Sequence, residues 1–237
     1  MKHVDLKNKN VFLSGATGDI GSQIAIKLAE EKCNLIINAR DEKKLKTLSD
    51  KLSDGNQVSI VPGDISDIKG LSKIITEVKK IANIDILVNS AGIFPNLELK
   101  NTSDEELQKT INVNLIAPFI FMREFSKEMI DNNWGRIINI GSSSSYSGFK
   151  NTSAYCATKH AILGLSRSIH DELKEYNVRT YCISPSSAQS KMGEKSVDQD
   201  FSTFLDPKDI ADFISYAISF DSNLMIEEIL LKRLYTK

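Results

Sequence analysis

Cysteine is scarce in this 237-residue chain: Cys33, Cys156 and Cys182 are the only three. An odd number without metal-ligand spacing excludes a disulfide framework and a thiolate zinc site. Cys33 and Cys182 fall near or in apolar runs and read as small buried hydrophobes. Cys156 follows Tyr155, but its helical phase points about 100° away, so it too reads as packing. Long apolar runs are missing, and residues 1–10 are polar and charged. Neither a membrane span nor a secretory leader is expected, and the expected location is the cytoplasm. Excess charge is missing as well: 30 Lys and Arg face 31 Asp and Glu, a formal net of −1. Bulk electrostatics therefore point to no nucleic-acid or membrane partner. Of the three histidines, His160 and His170 share one predicted helix without the spacing of a metal pair, and no metal is expected. The lone tryptophan, Trp134, reads as a packing residue ahead of a strand.

What is present is an alternation. Short apolar runs at 11–13, 35–39, 58–61, 84–88, 137–140, 180–183 and 226–231 read as strands. Helical patterns lie between them near 20–31, 41–53, 67–82, 103–132, 153–176 and 207–219. This rhythm predicts parallel strands joined by right-handed helical crossovers. The predicted fold class is α/β, a Rossmann-type doubly wound sheet of about seven parallel strands flanked by helices, in one domain over 1–237. Only 184–206 breaks the rhythm: polar and weakly periodic, it reads as a loop over a binding site.

The first strand runs into Ser14-Gly15-Ala16-Thr17-Gly18-Asp19-Ile20-Gly21, and a helix follows. Glycines allow a tight turn and let backbone N–H groups approach a pyrophosphate, which the positive end of the helix dipole then faces. A glycine cluster alone means little; between the first strand and first helix of an α/β chain it predicts a dinucleotide site. The second strand ends at Asn38-Ala39-Arg40. A carboxylate at position 39 would hold the 2′-hydroxyl of NAD; Arg40 suits a 2′-phosphate instead, which favours NADP(H) over NAD(H). Asp64, after the third strand, reads either as an acceptor for the adenine amino group or as a turn residue.

Tyr155 and Lys159 stand four residues apart, on one helical face. A free phenol, with a pKa of about 10, holds its proton too firmly for reversible transfer near neutrality. A neighbouring ammonium is expected to pull that value down. The run Ser142-Ser143-Ser144-Ser145 ends the fifth strand, at the carboxyl edge where ligands of such sheets bind.

Together these motifs resemble the short-chain dehydrogenase/reductase family, in its compact branch, over nearly the whole chain. Ser14 to Gly21 is similar to the family's Thr-Gly-x-x-x-Gly-x-Gly turn, and Asn89-Ser90-Ala91-Gly92 to its Asn-Asn-Ala-Gly. Asn114, Ser142, Tyr155 and Lys159 fall at the family's catalytic spacing, and Pro185 with Ser190 resembles the segment that holds the nicotinamide carboxamide. The resemblance implies a cofactor wall of Gly15, Thr17, Gly18, Asp19, Ile20, Gly21, Arg40, Asp64, Ile65, Asn89, Ala91, Gly92, Tyr155, Lys159, Pro185 and Ser190. It implies that Ser142 and Tyr155 bind a substrate carbonyl oxygen, that Tyr155 supplies the proton, and that Lys159 tunes Tyr155 and holds the ribose. Asn114 would anchor a water leading to Lys159. It also implies a homodimer or homotetramer that pairs the helices at 103–132 and 153–176.

Departures are visible too. Asp19 stands where the middle glycine belongs, an acid expected to weaken cofactor binding unless it points outward. The resulting Gly-x-x-Gly-x-x-Gly is the spacing of the family's extended, epimerase-like branch, but no large substrate lobe follows the sixth strand. Carrier-protein reductases of the family carry docking arginines where this chain has Asn133 and Tyr176. The leading expectation is an NADPH-dependent reductase of a ketone or aldehyde, or the reverse reaction. The alternatives are a 3-oxoacyl thioester (acyl-carrier-protein) reductase and a non-catalytic NADP(H)-binding sensor or scaffold. Phe94, Tyr146, Phe149 and Met192 are candidate pocket walls.

Overall fold

Alternate residues of each central strand face opposite sides, and the apolar pattern uses both. In the computed structural model, which describes residues 3–53, 55–195 and 199–235, Val11, Leu13, Leu35, Ile37, Ile86 and Val88 enter one core. Phe12, Ile36 and Leu87, between them, enter the other. Burial on both faces is what a parallel sheet requires. The strands are β1 (Asn10–Ser14), β2 (Asn34–Asn38), β3 (Val58–Ile60), β4 (Ile86–Asn89), β5 (Gly135–Ile140), β6 (Val178–Pro185) and β7 (Glu228–Leu231). All pair in parallel, in the order β3-β2-β1-β4-β5-β6-β7. The chain is a single α/β domain of the doubly wound kind expected.

Seven α-helices flank the sheet among the described residues: α1 (Asp19–Glu30), α2 (Glu42–Leu52), α3 (Ile68–Ile81), α4 (Asp104–Ile111), α5 (Ala117–Asp131), α6 (Ser153–Leu173) and α7 (Pro207–Ile218). Apolar residues of α1, α2 and α7 fill the first core; those of α3, α5 and α6 fill the second. Most helix starts are marked by the acceptor side chains that cap exposed N–H groups. Asp41, Asp67, Ser103 and Asp206 accept from the first turns of α2, α3, α4 and α7. No helix of the described residues is long and apolar enough to cross a membrane.

The helix expected over 103–132 runs without a gap from Asp104 to Asp131, but it is not regular throughout. Between α4 and α5 the backbone forms a wider π turn at Asn112–Ile116. Pro118, at the start of α5, has no N–H to offer the carbonyl four residues back, that of Asn114. The apolar stripe on these helices divides: Met122 is buried, while Leu107 and Phe119 are exposed. Within the 184–206 segment, residues 196–198 lie outside the described residues. The rest contains two short 3₁₀ turns, Gly193–Lys195 and Phe201–Thr203.

Candidate active site

At the carboxyl edge of β1 and β4, where the strand order reverses, successive crossovers leave on opposite faces and open a crevice. The glycine turn after β1 lines it. Gly15 has φ +73°, and a Cβ there would lie 2.6 Å from the Ala91 backbone. A Cβ on Gly21 would fall 2.2 Å from the Gly15 carbonyl oxygen. Only glycine lets the turn press against the chain after β4 while α1 presses against the turn. The N-cap of α1 is Gly18, which offers no side-chain cap, so the first-turn N–H groups face the crevice without the acceptor that α2, α3, α4 and α7 supply for themselves. The crevice holds about 850 Å³ and is walled by Thr17, Ile20, Arg40, Asp64, Ile65, Ala91 and Gly92. An uncapped helix start, a crevice of this volume and a cation at the β2 end fit a dinucleotide.

Three residues implied as cofactor wall make other bonds. Asn89 faces inward: its amide donates to Asn139 Oδ1 at 2.8 Å, and the Asn139 amide donates to Ser166 Oγ at 3.0 Å. This chain of buried amides ties β4 to β5 and α6. Asp19 lines the crevice, yet its carboxylate accepts from the backbone N–H of Lys191 at 2.8 Å. The acid that departs from the glycine pattern thus tethers the loop after β6 to the start of α1. Asp19→Ala is expected to raise the exchange rate of the Lys191 amide about tenfold, the equivalent of a ~1.4 kcal/mol charge-assisted bond. Unchanged protection by hydrogen-exchange NMR would refute the tether. Asp64 accepts from Ser66 N at 2.9 Å, the turn role that the sequence left open. Asp41, beside Arg40, caps α2 through Lys44 N, leaving Arg40 exposed on the crevice wall.

A second pocket of about 300 Å³ adjoins the crevice, with Ser142, Tyr155, Lys159, Pro185 and Ser190 in its wall. Ser190 lines both cavities; its hydroxyl also accepts from Gly193 N at 2.9 Å and so shapes the loop. Phe94 meets the Tyr155 ring edge-on at 4.7 Å. Phe149 and Met192 line the pocket as expected, whereas Tyr146 does not. Ser142 hydrogen-bonds Tyr155. The run of four serines divides its labour: Ser142 faces the pocket, and Ser145 Oγ accepts from Ser142 N while it lies buried.

The Lys159 ammonium donates to the Ile140 carbonyl at 2.7 Å and lies 5.5 Å from the Tyr155 ring centre. Burial strips water from it and pulls its pKa down to about 8. The expected lowering at Tyr155 is not what this arrangement produces. Burial pushes the phenol up to about 12, against the opposing hydrogen bond from Ser142. Desolvation outweighs the ammonium because that ammonium is turned toward a carbonyl. Asn114, on the π turn, is held at both ends of its amide: Oδ1 accepts from Ile93 N at 2.9 Å, and Nδ2 donates to Ile93 O at 3.0 Å. Its Nδ2 also lies 3.1 Å from Thr158 Oγ1, tying the π turn to α6. Asn114 therefore clamps the segment after β4 that carries Gly92 past Lys159. Pro118 is the sequence signal for this wider turn. Cys156 keeps to packing: its Sγ contacts Thr152 Oγ1 at 3.1 Å. Among the described residues no group of three His, Cys, Asp or Glu side chains could hold a metal ion.

A family model described as short chain dehydrogenase matches residues 9–200. The chain belongs to the short-chain dehydrogenase family. Its members are oxidoreductases that use a nicotinamide cofactor, so this short-chain dehydrogenase is an enzyme of that general class. It is similar to a 3-oxoacyl-[acyl-carrier-protein] reductase of Rickettsia felis, 31% identical over 225 residues and covering 91% of each chain. An uncharacterized oxidoreductase of Thermotoga maritima is 30% identical over 79% of this chain and 75% of its own. Among solved structures, a metagenomic short-chain oxidoreductase in complex with NADP superimposes with a TM-score of 0.86 at 28% identity, over 98% of this chain and 100% of its own. A 4-hydroxyisoleucine dehydrogenase complexed with NADH gives 0.85 at 27%, over 95% and 98%.

Proposed function

We propose that this short-chain dehydrogenase reduces a ketone or aldehyde to an alcohol, or runs the reverse, with NADP(H). The observation that carries the reading is a buried Tyr155 bonded to Ser142 in a pocket that opens onto the crevice and also holds Lys159. Gly15, Thr17, Gly18, Ile20 and Gly21 hold the pyrophosphate, and Arg40 meets the 2′-phosphate. Asp64, Ile65, Ala91 and Gly92 cover the adenine and ribose side, while Pro185 and Ser190 face the nicotinamide. When bound, the reduced cofactor supplies the hydride. Ser142 and Tyr155 donate to the carbonyl oxygen, where negative charge grows. Tyr155, protonated across the neutral range, gives that oxygen its proton. Lys159 stabilises the phenolate left behind, and Asn114 keeps the wall beside Lys159 in place.

The test is a panel of carbonyl compounds followed by cofactor absorbance with NADPH and with NADH. NADPH is expected to bind at least about tenfold tighter, since Arg40 makes a charge-assisted pair worth about 1.5–3 kcal/mol. Arg40→Ala should close most of that gap in a calorimetric titration. Equal affinities in the unaltered protein would sink the NADP assignment. NADPH binding without reduction of any carbonyl would favour the sensor reading.

A 3-oxoacyl thioester is the second substrate reading, favoured by the name of the Rickettsia relative. Against it, Asn133 and Tyr176 offer no charge to an acidic carrier protein; acetoacetyl-CoA belongs in the panel to decide. A homodimer or homotetramer accompanies the proposal. Ile111 and Leu115 lie half-buried on the stripe whose ends, Leu107 and Phe119, are exposed on α4 and α5. That stripe is apolar surface for a second copy to cover. A light-scattering mass equal to one chain at micromolar concentration would refute it. The cytoplasm is the proposed location, testable by fractionation.

A further inference from the structure

Two lysines in the pocket wall have no part in the chemistry above. Lys150 stands in the segment between β5 and α6, and Lys195 ends the 3₁₀ turn Gly193–Lys195 between β6 and α7. They reach the pocket on different loops. Neither has an ion-pair partner among the described residues. Among the described residues, every other titratable side chain in the wall belongs to Tyr155 or Lys159, and no Asp or Glu lines it. The chain as a whole balances 30 bases against 31 acids, so three lysines and no acid among the described wall residues are a local excess of positive charge. Gln199 adds to it. Its Oε1 accepts from Ser187 Oγ at 3.0 Å and from Arg233 Nη2 at 2.6 Å. With the oxygen engaged twice, the side chain's remaining capacity is its amide N–H donors. A small pocket offering ammonium and amide donors and no carboxylate complements a compact anion.

We propose that the substrate is a small carbonyl compound bearing a carboxylate or a phosphate, which Lys150, Lys195 and Gln199 hold while Ser142 and Tyr155 take its carbonyl oxygen. The inference rests on the carbonyl-reductase reading and deepens it. Anchoring a remote anion orients the reacting carbonyl, so the anchor raises turnover as well as affinity. Lys150 is the decisive residue, because it lines this pocket alone; Lys195 also borders the cofactor crevice.

The experiment compares matched pairs with NADPH: acetoacetate against methyl acetoacetate, and dihydroxyacetone phosphate against dihydroxyacetone. At least one anion is expected to exceed its neutral partner about 10–100-fold in kcat/KM, the range of a hydrogen-bonded charge pair. Lys150→Met should lower the anion's kcat/KM about tenfold and leave both the neutral partner and the NADPH Kd unchanged. The better anion tells carboxylate from phosphate. Neutral members reduced as well as the anions, or a Lys150→Met that changes both members alike, would overturn the proposal and leave the reductase reading standing. Should neither pair turn over, calorimetry on the NADPH complex decides separately. An anion that binds the unaltered protein and binds Lys150→Met about tenfold more weakly supports the site; equal binding, or none, overturns it.

Discussion

Tyr155→Phe is expected to lower carbonyl reduction by about 10²–10⁴-fold, the usual worth of a positioned general acid. The substitution removes one hydroxyl and keeps the ring that packs edge-on against Phe94. Fold, cofactor affinity and the pocket wall should therefore survive, and the loss should appear in kcat. Tyr155 hydrogen-bonds Ser142, and burial holds its pKa up at about 12. Its proton is thus in place at every neutral pH, as the reductive direction needs, so reduction should hold level through the neutral range and slow only as the pH climbs toward 12, where the phenol ionises. Turnover against pH for Tyr155→Phe and Ser142→Ala separates the roles. Ser142 stabilises charge without titrating, but its hydrogen bond also holds the Tyr155 pKa down, so Ser142→Ala should depress the profile and move its alkaline limb upward. A Tyr155→Phe enzyme with near-normal turnover would remove Tyr155 from the reaction.

Arg136→Met is expected to destabilise the fold by about 3–5 kcal/mol, the cost of breaking a buried charged network at one member. The Arg136 side chain is 0% exposed. Its guanidinium donates to the carbonyls of Ile218 at 3.1 Å, Phe220 at 3.0 Å and Asn177 at 3.1 Å, and to Asp221 at 2.9 Å. Ile218 ends α7, so the cation sits where the negative end of that helix dipole lies. Trp134 lies against the guanidinium, its ring centre 4.4 Å away, with Lys9 on it at 4.0 Å. Burial lowers the Arg136 pKa, but an arginine keeps its charge regardless. Methionine fills the space and supplies none of the donors, leaving several carbonyls in a dry interior. Urea unfolding should show a lower midpoint with an unchanged slope. A shift worth under about 1 kcal/mol would mean that water replaces the guanidinium there.

Arg136 also shows where reading the chain stops. In sequence it is a charge ahead of an apolar run and looks like the solvated edge of a strand. Only the return of α7 to the start of β5 encloses it, over a separation of 82 residues. Asn89 is similar: its motif pointed to the cofactor, and the register of β4 on β5 turned it toward Asn139. Asp19 was legible as a departure from the glycine pattern, but not as a partner for Lys191, which lies 172 residues away.

Periodicity and punctuation along the chain determined the alternation of strands and helices, the glycine turn ahead of α1 and the four-residue spacing of Tyr155 and Lys159. Each depends on neighbours within a few turns of chain, where backbone geometry and side-chain period are local properties. The direction of each buried polar group was decided by the tertiary structure. A buried donor or acceptor turns to whichever partner the packing brings within reach, and that partner is usually distant in sequence. For the same reason the sequence placed Lys159 beside Tyr155 but not the Lys159 bond to Ile140, nor the burial that drives their two pKa values toward 8 and 12.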